Sequence, residues 1–151
     1  MKKIQLTILL CSFCALFGLL SILGADYLSQ VAVAHHSSDD ALRECLSNFQ
    51  NVISTVFLLT PFLVVGFGTA ILEMKNRIAA WCFSISSLLL LAALYCYGYF
   101  GSQHALLEKA WTAASLSIGL LPFFSVPVIA AYFGIVFAIS IHLNQKRNLR
   151  Q

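Results

Sequence analysis

Charge is scarce in this chain, and its absence is concentrated in four places. Of 151 residues only 10% are charged, against about 25% in soluble globular proteins. Residues 4–25, 52–72, 78–103 and 110–141 contain no Asp, Glu, Lys, Arg or His. A helix rises about 1.5 Å per residue and the hydrocarbon core is about 30 Å thick, so roughly 20 apolar residues suffice to cross it. The sequence therefore implies an all-α integral membrane four-helix bundle, a single domain with spans at about residues 4–24, 52–72, 78–100 and 121–142. A mean hydropathy of +0.86 and 60% hydrophobic residues agree, and four spans leave little chain for a soluble domain.

Each missing residue type excludes a class of function. With no histidine within those spans other than His142 at the very end of the last, and with His104 and His142 at opposite faces, the axial ligands of a membrane cytochrome and the anchors of a quinone site are lacking. With no acidic or basic residue inside them, the sequence speaks against a pump, a proton-coupled carrier or a voltage sensor, because such groups are costly in lipid and mark those functions. The net charge of +3 is distributed by topology rather than gathered into a nucleic-acid surface, so no nucleic acid and no cofactor is expected.

The charges present orient the chain. Lys2, Lys3, Lys75, Arg77, Lys146, Arg147 and Arg150 fall on one side, and only Arg43 and Lys109 on the other. Asp26, Asp39, Asp40, Glu44 and Glu108 face away from the basic side, where Glu73 is the single acid. By the positive-inside rule both termini and the 73–77 turn are cytoplasmic, and the 26–51 and 101–109 loops are outside. The short Lys-Lys start points to a bacterial inner membrane. Ala32, Val33 and Ala34 also form an A-x-A site for cleavage before His35, but the preceding apolar run exceeds the 7 to 15 residues of a signal core, so retention of the first helix is expected.

The first outer loop itself turns helical. Ser37 and Ser38 can cap a helix whose first turn carries Asp39 and Asp40 beside its positive dipole end. Leu42, Cys45, Leu46, Phe49 and Val52 recur at helical steps, so an amphipathic helix is expected to run straight into the second span and to project roughly 15 Å beyond the membrane. Pro61 should kink that span near mid-depth, with Thr60 or a neighbouring helix serving the freed carbonyl. Gly66, Gly68 and Ala70 thin its lower half. Tyr95, Tyr97, Tyr99, Phe100 and Trp111 read as an outer aromatic belt, and Trp81 as an inner one. The last hydrophobic stretch, interrupted by Pro122 and Pro127, divides into an interfacial segment up to about Leu121 and a span in which Ala130, Gly134 and Ala138 repeat a small residue every four positions, a helix-packing face.

Three kinds of chemistry are tested by spacing. His36, Asp40 and Glu44 stand four apart and offer metal-ligand types beside His35 and Asp39, although Ser and Asp at a helix start are what capping requires. Cys11 and Cys14 form a C-x-x-C like that of membrane disulfide-transfer enzymes, but they fall mid-span, where a thiolate is unsupported. Cys45, Cys82 and Cys96 read as packing residues. Arg43 and Asn48 faintly resemble the eicosanoid and glutathione family of membrane enzymes; that family spaces its Arg and Asn by four and adds a Glu, whereas here the spacing is five and position 51 is Asn.

Thr60, Pro61, Phe62 and Leu63 before a basic turn, a basic tail at 146–151 and an acidic outer loop give the chain a topology that resembles the four-span immunity proteins against pore-forming bacteriocins of the colicin A type. That resemblance implies a non-enzymatic inner-membrane protein that blocks a toxin through outer-loop recognition and helix contacts in lipid. Asp39, Asp40, Arg43, Glu44, Gly66, Ala70, Ala130, Gly134 and Ala138 are then the candidate partner-binding residues. An accessory subunit of a larger membrane complex, or a thiol-redox or glutathione-family enzyme, are the alternatives. The expected partners are membrane lipid and a membrane-embedded protein.

Overall fold

The computed structural model describes residues 2–48 and 51–148. Phe49 of the expected outer-helix stripe, and Arg150 and Gln151 of the basic tail, lie outside these, as do the side chains of Lys2, Lys3, Lys146 and Arg147. Six helices follow one another: α1 (Lys2–Ala32), α2 (Ser38–Asn48), α3 (Val52–Glu73), α4 (Arg77–Leu107), α5 (Trp111–Gly119) and α6 (Leu121–Asn148). Four segments are long and apolar enough to cross a membrane: Ile4–Ala32, Val52–Glu73, Arg77–Leu107 and Trp111–His142.

The long helices run up and down. Gly66 of α3 meets Cys11 of α1, and Gly18 of α1 meets Phe62, so α1 and α3 are antiparallel. Tyr95 of α4 bonds Leu58 while Phe83 touches Gly68, which sets α4 antiparallel to α3. Gly98 lies on Leu121 and Ser86 bonds Tyr132, so α6 is antiparallel to α4. The 73–77 turn therefore shares one end of the bundle, the lower end, with the start of α1 and the close of α6, while α2 and α5 occupy the upper end. Both α1 and α6 are seated on the α3–α4 pair.

The core is aromatic and aliphatic: Phe62, Phe83 and Tyr95 are fully buried with Ile22, Leu72 and Leu91. The Phe62 and Tyr95 rings pack in a tilted pair with centroids 5.4 Å apart. The Tyr95 hydroxyl donates to the Leu58 carbonyl at 2.6 Å. That bond serves the α3 backbone next to Phe57, whose carbonyl loses its helical donor to Pro61. Neither expected side chain sits on the freed carbonyl itself: Tyr95 serves Leu58, one residue on, and Thr60 bonds Val56.

Three expectations are corrected. α1 does not stop near residue 24 but continues to Ala32, taking Asp26 into the helix. α4 likewise continues to Leu107. α2 does not run into α3: it ends at Asn48, and Asn51 starts a new helix by accepting from the Ser54 amide. His35, with φ of 56°, turns the chain back so that α2 lies alongside the top of α1 rather than projecting from it. Ala41 and Cys45 form its buried side, while Leu42 and Leu46 of the expected apolar stripe stay exposed. The division of the last stretch near Leu121 is observed, with Lys109 at φ of 60° folding α5 back onto α4, where the Ser102 hydroxyl donates to the Ala114 carbonyl at 3.1 Å.

Candidate functional site

A buried polar cluster sits where α1, α2 and α4 meet at the upper end. Ile22, Ala25, Asp26, Ser29 and Gln30 recur at steps of three and four on one face of α1, continued by Val33 in the turn after it, and all are buried. Asp26 is 3% exposed, Ser29 0% and Gln30 1%. Each partner follows from the helical repeat: the Ser29 hydroxyl donates to the Asp26 carbonyl at 2.8 Å, and the Gln30 amide to Asp26 Oδ1 at 2.9 Å. From α2, Asn48 Nδ2 donates to Asp26 Oδ2 at 3.2 Å and Cys45 Sγ to the Leu23 carbonyl at 3.6 Å. Tyr99 of α4, almost fully buried, closes the cluster within electrostatic reach of Asp26.

Sequence reading placed Asp26 in a solvated loop, and the structure overturns that. A carboxylate at position 26 reads as the end of a span, although its spacing from Ser29 and Gln30 and its continuity with Ile22 and Ala25 carry the helical signal. The inference that the bundle holds no ionisable residue falls with it. Neither amide that bonds the Asp26 carboxylate carries a charge, and burying a carboxylate without a cationic partner is costly.

Cys45 shares this environment. Burial, and then the neighbouring Asp26 carboxylate, push its thiol up to about 11. An ordinary thiol near 8.5 carries about a hundredfold or more thiolate at neutral pH, and the thiolate is the reactive form. Maleimide modification of Cys45 in the folded protein at pH 7 is therefore expected to be slower than that of a free small-molecule thiol in the same buffer by about that factor or more. Mass mapping of the labelled sites over time checks this; equal rates would place Cys45 in water. Because the pKa is raised, the associated stabilisation is present below pH 9 and declines as pH rises towards 11.

The other candidates separate into those the fold exposes and those it consumes. Asp39, Asp40, Arg43 and Glu44 are all exposed on α2. Ser37 and Asp40 cap the helix reciprocally, the hydroxyl donating to Oδ2 at 2.6 Å and accepting from the Asp40 amide at 3.3 Å, as a capping box does. His36 Nδ1 and Glu44 Oε2 do meet, at 3.3 Å, but Asp40 is committed to the cap and His35 to the turn. Among the described residues no three His, Cys, Asp or Glu side chains converge as a metal site, so the His36, Asp40 and Glu44 triad is not assembled.

Gly66 and Ala70 are buried inside the bundle, which removes them as partner-binding residues. A Cβ on Gly66 would stand 2.8 Å from Cys11 Cα, so this glycine exists for the α1–α3 crossing. Ala130, Gly134 and Ala138 are the reverse case: all three are exposed on α6, and a Cβ on Gly134 meets nothing within 4 Å. Gly134 therefore faces away from the bundle, while Ala130 borders a cleft shared with Val64, Phe67 and Ile71 of α3. Cys11 and Cys14 are free thiols in the α1 interface, Cys14 fully buried against Ser84. Outside the core, an apolar cleft of about 460 Å³ between α1 and α4 is lined by Leu9, Leu16, Phe13 and Trp81.

No family model, curated protein or solved structure matches this chain.

Proposed function

We propose that this is a bacterial inner-membrane protein that acts without catalysis, by docking a membrane-embedded helical partner, and that its partner is a pore-forming toxin it neutralises. The carrying observation is the exposed stripe of Ala130, Gly134 and Ala138, a small-residue helix face that is open at Gly134 and borders an α3–α6 cleft at Ala130. In lipid, helices gain nothing from hydrophobicity on meeting, so association rests on close van der Waals approach, and small residues permit it. The exposed Asp39, Asp40, Arg43 and Glu44 on α2 supply a charged surface at the upper end for partner choice, and the α1–α4 cleft has the apolar lining that an acyl chain fits.

In this reading both termini and the 73–77 turn are cytoplasmic and α2 is outside, as the distribution of basic residues requires. A cysteine introduced at Ser38 is expected to react with an impermeant thiol reagent added to intact cells, and one at Asn76 only after permeabilisation. The opposite pattern would invert the topology.

The functional test is protection. Deleting the gene is expected to sensitise its strain to a pore-forming bacteriocin made by that strain or its close kin, and plasmid expression to restore survival. Unchanged survival against every such toxin, with stoichiometric co-purification in a larger complex from unchallenged cells, would replace toxin blocking by a subunit role.

A further inference from the structure

We infer that the Asp26 cluster is a binding site for a monovalent alkali cation, held at the junction of α1, α2 and α4. The cluster is a concentration of oxygen acceptors short of positive charge. Both oxygens of the Asp26 carboxylate accept from neutral amides, Gln30 Nε2 and Asn48 Nδ2, and none of the ion pairs given among the described residues includes it. The second observation is independent of the carboxylate: Gln30 is 1% exposed, and its Oε1 is a buried acceptor with no partner among the described residues. Because the same amide holds Asp26 through its nitrogen, that orphan oxygen lies within one side-chain amide of the carboxylate. Buried acceptors are almost always satisfied, so the arrangement calls for a donor or a cation at this point.

Chemistry selects the kind of cation. Oxygen ligands from a carboxylate and a carboxamide suit a hard ion rather than a soft transition metal. One carboxylate neutralises one charge; a divalent ion would leave a net positive charge in a low-dielectric surrounding, which is strongly unfavourable. Asn48 supplies the link to α2, so an occupied site would tie the hairpin of α1 and α2 to the bundle, whichever partner the rest of the protein serves.

The test uses the full chain purified in detergent, with sodium, potassium or choline chloride exchanged at constant ionic strength. Sodium or potassium is expected to raise the thermal midpoint saturably by about 5 °C over choline, as a ligand that binds only the folded state does, and the more effective of the two identifies the ion. Asp26→Asn is expected to give one midpoint in all three salts. Gln30→Met keeps length and removes the orphan oxygen, and is expected to raise the half-saturating concentration about tenfold; it stands in if Asp26→Asn does not fold. Identical midpoints for the native chain in all three salts, or an unchanged half-saturating concentration in Gln30→Met, would overturn the site.

Discussion

Replacing Gly66 with leucine is expected to eliminate the folded bundle, whereas the same change at Gly134 leaves it intact. At Gly66 the first added carbon already stands 2.8 Å from Cys11 Cα and 3.3 Å from its amide nitrogen. These are backbone atoms of α1, which cannot rotate aside as a side chain would. Three further carbons would force the helices apart along a contact that also carries Gly18 on Phe62. Overpacking commonly costs about 1–3 kcal/mol and more where the backbone must move, and separation of α1 would expose Cys14, Phe62 and Val65 together. Loss of a monodisperse peak in mild detergent and a collapsed thermal midpoint are the measurements. A native midpoint for Gly66→Leu would mean that α1 does not cross α3 at this glycine.

Gly134→Leu carries the second large effect, on function alone. Its Cβ meets nothing within 4 Å and its neighbours Ala130 and Ala138 are exposed. The thermal midpoint should therefore move by no more than about 0.5 kcal/mol equivalent. A partner helix seated on the stripe would be held off by the leucine, and loss of close packing removes the interaction that brings helices together in lipid. Protection is expected to be lost at normal abundance. Normal protection by Gly134→Leu would show that the stripe looks only at lipid.

These two glycines show what the sequence could reveal. Both stand in apolar spans with alanines four residues on, and periodicity makes them equivalent. In water, polar residues mark the outward face of a helix; in lipid, the outward face is as apolar as the inward one, so the pattern carries no sense of side. The spans themselves, and the division near Leu121, were legible because length and charge decide them. The end of α1 was not, since an aspartate reads as needing water, whereas Gln30 and Asn48 supply its hydrogen bonds here. α2 was legible as a helix from Ser37 to Asp40, but its reversal onto α1 depends on His35 in a left-handed conformation, which no local residue preference announces. The buried polar cluster was visible in outline, as Asp, Ser and Gln at steps of three and four, and became a site only when Asn48 arrived from another helix.

The central claim is that the small-residue face of α6 docks a protein partner inside the membrane. Photo-crosslinking from a benzoylphenylalanine placed at Ala138, one turn from Gly134, addresses it in native membranes challenged with the toxin. The account predicts one discrete protein adduct, with the mass of the toxin, that disappears when Gly134→Leu is added. Adducts with lipid alone, or a protein adduct indifferent to Gly134→Leu, would contradict it.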